Sequence, residues 1–257
     1  MSILFHNIVF GPVRSRRLGF SLGINLLPVN SKICSFNCIY CECGWTPENL
    51  PLSGFNSRNN VFQFIESRLK EIKTFNEPLD VITFAGNGEP TLHPQFSEIL
   101  KDVILLRNKY VPEKKIAVLS NATTLGNPKI VEALKKIDLP ILKLDSAIES
   151  TFRIMNNPPA TFNFKNYILN LSNFKNRIIL QTMFLRREIN GQKFDNTTDS
   201  ELKAWLTVVK NLNPKNVMIY TIDREPPSKN LIKISPDELN KIAQKIKLNN
   251  IPVQTSY

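Results

Sequence analysis

Three cysteines are spaced Cys34-x3-Cys38-x2-Cys41, and with Cys43 they are the only cysteines of the chain. Disulfide frameworks join distant parts of a chain, so cysteines crowded on one loop point to metal in a reducing compartment. Zinc modules usually split their ligands into separated pairs, often completed by histidine. Here the only histidines, His6 and His93, are remote from the loop in sequence. The spacing favours iron–sulfur chemistry. Three thiolates on one short loop can hold three irons of a cubane [4Fe–4S] cluster and leave the fourth open to a small molecule. The reactivity of such a cluster follows its ligands, exposure and hydrogen bonds. If Cys43 closed the fourth position, the protein would instead be a non-enzymatic electron carrier.

Such a loop needs a scaffold that brings binding groups beside it. Ser21–Leu27 reads as a first strand before the loop, and Val61–Lys73 as a helix after it. Short apolar runs then alternate with amphipathic stretches. Strands are expected at Leu79–Ala85, Lys115–Leu119, Pro140–Leu144, Arg177–Phe184 and Lys215–Tyr220. Helices are expected at Pro94 to about Asn108, Pro128–Ile137, Glu149–Met155, Phe164–Asn173, Asp199–Asn211 and Pro236–Lys247. Proline at the first helical position supports the start at Pro128. Phe75–Pro78 and Thr221–Asn230 read as loops. Six strands each followed by a helix imply a parallel sheet with right-handed crossovers. They are too few to close an eight-stranded barrel, so the expected fold is α/β, a partial (β/α)6 TIM-like barrel. Reactive residues belong at the C-terminal strand ends. No linker or repeat breaks the chain, which reads as a single domain over residues 1–257, its barrel core spanning about 18–225.

Composition sets the remaining bounds. An apolar content of 42% is ordinary for a globular core. No apolar run is long enough to span a bilayer and no signal peptide is evident, so a soluble, cytoplasmic protein without a membrane partner is expected. The net charge of +11 invites an RNA partner. On charge alone, a Lys- and Asn-rich composition with solvated helix faces is the stronger account.

The loop, with Tyr40 just before the third cysteine, closely resembles the cluster motif of the radical S-adenosylmethionine superfamily. The segment Phe84-Ala85-Gly86-Asn87-Gly88-Glu89-Pro90 resembles that family's second element. The resemblance runs from about Phe10 to about Pro227. It implies that Cys34, Cys38 and Cys41 ligate a [4Fe–4S] cluster, whose open iron chelates S-adenosylmethionine. One electron then cleaves the cofactor to methionine and a 5′-deoxyadenosyl radical, which takes hydrogen from a substrate. It further implies that Gly86, Asn87, Gly88 and Glu89 hold the cofactor's amino group. Glycines permit close backbone approach, and a carboxylate suits an ammonium. Ser120, Asn121, Asp145 and Gln181 would face its ribose and carboxylate, and Tyr40, Tyr220 and Ile222 its adenosyl part. Taken singly, Asn121 reads as a cap or turn residue and Asp145 as a strand-end cap.

Phe10–Gly19 and Ser21–Asn25 resemble a wyosine-synthase-like subgroup that rebuilds a guanine in tRNA. Arg14, Arg16 and Arg17 could meet substrate phosphate or tie the start of the chain onto the barrel. No cysteine precedes Cys34, so the second cluster of that subgroup is not expected from this chain's thiols. An RNA base is the first candidate substrate, and a glycyl radical installed on a partner protein is the alternative. The family also implies an electron donor, flavodoxin- or ferredoxin-like.

Overall fold

The computed structural model describes residues 3–47, 54–189, 192–224 and 226–257. Two compact units make up the chain. One comprises residues 4–35 and 46–140, the other residues 36–45 and 141–257 with Ile3.

In the first unit, β1 (Val9–Ser15) pairs antiparallel with β2 (Gly19–Ile24). Parallel pairing then runs from β2 to β3 (Val81–Phe84) and on to β4 (Lys115–Ser120). Every residue of β3 is buried, as expected for a parallel strand covered on both faces. The crossover helices are α1 (Arg58–Phe75) and α2 (Phe96–Tyr110), and α3 (Pro128–Leu134) follows β4. Helix α1 starts where the Ser57 hydroxyl accepts from Asn60 N–H and ends at Asn76 in the left-handed conformation. Its buried Val61, Ile65, Leu69 and Ile72 recur every three to four residues, the stripe of a half-buried helix.

In the second unit, β5 (Leu139–Lys143), β6 (Ile179–Met183), β9 (Asn216–Tyr220) and β11 (Val253–Ser256) pair in parallel in that order. Helices α4 (Glu149–Asn156), α5 (Phe164–Leu171), α6 (Asp199–Leu212) and α7 (Pro236–Lys247) connect them. A Ser235/Glu238 capping box with Pro236 at the first helical position starts α7. A separate antiparallel sheet joins β7 (Leu185–Ile189), β8 (Gln192–Asp195) and β10 (Leu231–Lys233).

The six expected strands and their helices are present, with ends shifted by a few residues. Several strands were not expected. β1 carries Gly11 and Pro12, which weaken a strand pattern. The β7–β8–β10 sheet stands where no strand was expected, on both sides of α6. Its third strand directly follows Thr221–Asn230, of which Glu225 lies outside the described residues. β11 adds a further parallel strand beside β9.

Trp205 shows how packing reaches the site. It is 2% exposed on α6, stacks edge-on to Phe184, and its indole N–H donates to Leu144 C=O at 3.0 Å, next to Asp145. Thr182 Oγ1 donates to the same carbonyl at 2.8 Å. Trp205→Phe should cost about 1–2 kcal/mol through the lost donor and the void. Urea denaturation followed by circular dichroism measures it; an unchanged midpoint would contradict this role.

Candidate functional site

The segment after β3 is shaped by contact with the start of the cysteine loop. Ile33 N–H donates to Asn87 C=O at 2.9 Å, and Glu89 N–H donates to Ile33 C=O at 3.0 Å. Ile33 thus forms a one-residue parallel bridge with Gly88, immediately before Cys34. Gly88 (φ +132°) has room only for hydrogen: a Cβ there would stand 1.9 Å from Ile33 O. At Gly86 (φ +155°) a Cβ would stand 2.4 Å from Asn25 Oδ1. The glycines therefore serve the stitching of the loop to the strand. The fully buried Asn87 side chain serves it too, donating to Phe5 C=O and Pro28 C=O and accepting from Phe5 N–H.

Glu89 is 2% exposed, and its carboxylate accepts four hydrogen bonds. Oε1 receives Thr91 N–H at 3.1 Å, Thr91 Oγ1 at 2.5 Å and Ser120 Oγ at 2.9 Å; Oε2 receives Asn121 N–H at 2.6 Å. Burial pushes its pKa up, and these donors pull the other way without cancelling it. Among the described residues no cation pairs with it. Asn121 also turns its side-chain amide toward the loop, with Nδ2 3.5 Å from Cys34 Sγ and 2.9 Å from Ser35 Oγ. One residue therefore touches both the buried carboxylate and the first cysteine.

The second unit holds Cys38, Cys41 and Cys43, of which Cys38 is buried. The ends of α4 grip this part of the loop. Asn37 N–H donates to Asn156 C=O and Asn157 C=O, and Ile39 N–H to Met155 C=O at 3.0 Å. Cys41 N–H donates to Cys38 C=O at 3.1 Å. The Cys38 thiol lies 3.3 Å from Asn156 Oδ1, which also takes a 3.4 Å contact from Tyr40 OH.

Tyr40 OH donates to Asp145 Oδ2 and accepts from Lys143 Nζ, which also lies 4.7 Å from the Tyr40 ring centroid. Lys143 and Asp145 are 3.4 Å apart, and Asp145 Oδ1 accepts Met183 N–H at 2.9 Å. Burial and the Asp145 charge hold the Tyr40 phenol well above its usual range. Burial works to lower Lys143, but the charges of Asp145, Cys38, Tyr220 and Tyr167 together outweigh it, so the ammonium is retained. Gln181 Nε2 donates to Tyr220 OH at 2.7 Å, and Tyr220 and Ile222 are buried. Lys143, Asn156, Thr91 and Ser35 escaped the sequence reading. A lysine closing an otherwise apolar strand was the available signal for Lys143.

Arg14 and Arg16 are exposed at the β1–β2 hairpin and Arg17 is half-buried there. Ser15 Oγ accepts the Arg17 and Leu18 N–H groups, both at 3.3 Å, and shapes the turn. Among the described residues no three His, Cys, Asp or Glu groups gather as ligands of a single ion. Among those residues no helix is long and apolar enough to cross a membrane.

A parallel α/β core, a cysteine-rich loop after a strand, and a buried acid at the next strand end define a class of cofactor-dependent enzymes. The sequence model of the Radical SAM superfamily matches residues 31–200, and the chain belongs to that superfamily and is an enzyme. A UPF0026 protein of Helicobacter pylori is 32% identical over 236 residues, 91% of this chain and 72% of the relative. Two solved structures show the shared fold. A radical SAM methyltransferase from Sphaerobacter thermophilus aligns at TM-score 0.67 and 13% identity, over 92% of this chain and 66% of the other. TYW1 with a lysine–pyruvate adduct aligns at TM-score 0.63 and 16% identity, over 90% and 75%. The fold class is thus the partial TIM-like barrel expected from the sequence. The family implies an iron–sulfur cluster, S-adenosylmethionine and a reductant. The residues fit these groups: the loop supplies three soft thiols, and Glu89 is a buried acid with no cation among the described residues.

A raised acid pKa means that Glu89 stabilises the fold below its ordinary pKa. That contribution is lost as pH rises through the elevated folded value. Glu89→Gln should therefore flatten the fall of stability with pH above the ordinary carboxylate range. Urea midpoints measured above that range test it; an identical slope in both proteins would contradict the assignment.

Proposed function

We propose that this chain is a radical S-adenosylmethionine enzyme of the wyosine-synthase-like kind. Cys34, Cys38 and Cys41 hold its [4Fe–4S] cluster, and an RNA base is its substrate. The observation that carries the cluster and cofactor assignment is Asn121, which links a buried carboxylate with no cation among the described residues to the first cysteine of the motif. When bound, the cluster and cofactor supply a 5′-deoxyadenosyl radical that takes hydrogen from the substrate.

The chain's own residues prepare the place. Glu89 receives the cofactor's ammonium, and a positive charge there offsets the cost of its buried charge. Ser120, Asn121 and Thr91 hold that carboxylate in one orientation. Gly86 and Gly88 let the strand end lie against the loop, and Asn87 locks it. Asp145 already has Lys143 and Tyr40 as partners, so it presents a fixed polar wall for ribose. Gln181, Tyr220 and Ile222 border the adenosyl moiety. Lys143 and Tyr40 sit close enough to Cys38 to respond to its charge. No side chain is needed as a general base for cofactor cleavage. His93 is spent as a strut, with Nε2 on Asn56 C=O and Nδ1 accepting Gln95 N–H.

The RNA assignment draws on the N-terminal motif, the net charge of +11 and the exposed Arg14 and Arg16. The electron comes from a flavodoxin- or ferredoxin-like donor.

Anaerobic reconstitution with iron and sulfide, then dithionite and S-adenosylmethionine, should yield 5′-deoxyadenosine. Cys38→Ala should reduce the yield to that of a cluster-free control; turnover surviving in this variant rejects the ligand assignment. Binding to tRNA should weaken steeply with salt, because phosphate contacts release counterions. Affinity that ignores ionic strength, or no binding at low salt, would remove RNA as the substrate.

A further inference from the structure

A cavity of about 450 Å³ opens in the second unit against the cysteine loop. Ile39, from between Cys38 and Cys41, lines it together with Ile154 and Phe194, and Arg153, Arg187 and Lys193 supply cations. Among the described residues no acid lines it. Arg153 pairs with Glu149 and Lys193 with Glu188, both carboxylates being half exposed. Arg187 differs: its Nε is buried without a hydrogen-bond partner, and among the described residues no carboxylate pairs with it. The loop is fixed at this place, since Ile39 N–H is held by Met155 C=O and Ile39 C=O by Ser228 N–H at 3.3 Å.

Resting on the cluster assignment above, we infer that this cavity is where the electron donor docks, and that the donor carries an acidic surface around its redox centre. Electron transfer slows steeply with distance, so a donor must approach the ligand loop itself. Ile39 is covalently adjacent to Cys38, and consecutive Cα atoms lie about 3.8 Å apart. An apolar floor ringed by cations matches the anatomy of a small interface, with an apolar centre and a charged rim. Transient redox encounters are small and steered by charge complementarity. The step balances simply: the donor loses one electron, the cluster gains it, and the chain supplies no proton. RNA phosphate would also favour cations. The placement beside Ile39, rather than the charge alone, decides for the reductant.

The test compares two reductants on the reconstituted full-length chain by stopped-flow absorbance of the cluster. Lys193→Glu changes a side chain that is 68% exposed, and Arg187→Gln removes the unpaired guanidinium. With a purified flavodoxin of net negative charge at low ionic strength, both variants should be reduced about tenfold more slowly than the parent. The gap should close as salt is added. Dithionite should reduce all three proteins at equal rates. Equal flavodoxin rates in parent and variants would overturn the proposal. So would variants that lose tRNA affinity while their flavodoxin rate is kept, which would assign the cavity to RNA. A parent cluster that dithionite cannot reduce would strike the cluster assignment itself, a separable failure.

Discussion

A carboxylate buried with no counter-cation among the described residues is the constraint around which this molecule is arranged. Removing an ionised carboxyl group from water costs several kcal/mol even after relaxation, unless donors or an opposite charge compensate. Glu89 has donors on both oxygens but no cation among the described residues. Asp145, at another strand end, has Lys143 within 3.4 Å. The two acids thus stand in opposite electrostatic states. Asp145 is balanced by the protein, while Glu89 remains partly unbalanced, its pKa raised by burial. A site of the second kind favours an incoming ammonium, and that preference comes from the missing partner as much as from the carboxylate.

The cysteine loop is held by its backbone and not by bulky packing of its own. Ile33 is tied to Asn87 and Glu89, and Asn37 and Ile39 are tied to the last carbonyls of α4. These bonds also satisfy helix-end carbonyls that would otherwise lack partners. Fixing the main chain on either side of the cysteines restricts where sulfur can point, and groups beyond the ligands set orientation and electronic environment in metal sites generally. Asn121 at Cys34 and Asn156 at Cys38 are the amides placed to act this way.

Much of the scaffold was legible because local and tertiary signals agreed. α7 follows its expected bounds, with Pro236 and the Ser235 box at its start and an apolar stripe along it. The parallel strands read clearly as short apolar runs between amphipathic helices. β7 did not, because its run of Leu185, Arg186, Arg187, Glu188 and Ile189 has neither alternation nor continuity in hydrophobicity. Its place is set by pairing with the neighbouring β8 and, at long range, with β10, a contact that spacing does not encode. At the site, the cysteines and Glu89 stood out by type and position. Lys143 was hidden because a lysine at a strand end ordinarily reaches solvent. Here Tyr40 and Asp145 retain it, and neither lies beside it in a way that hydropathy displays.

The net charge of +11 acquires meaning only when it is localised. Many lysines lie on helix surfaces beside carboxylates, as in Lys70 and Lys109 with Glu66, Lys135 with Glu132 and Lys245 with Asp199. Such exposed pairs contribute about 0–1 kcal/mol and leave little field beyond roughly 8–10 Å at physiological salt. A partner therefore responds to places where cations gather without nearby acids, not to the sum over the chain. The wall beside Ile39 gathers three cations: Arg153 and Lys193 pair with the half-exposed Glu149 and Glu188 outside its lining, and among the described residues no acid pairs with Arg187. The sheet that contributes Arg187 and Lys193 is the part of the second unit least expected from the sequence. Charge and topology thus converge there: an insertion into a parallel α/β core carries its unpaired cation to the edge of the cysteine loop, where a negatively charged surface gains most by approaching.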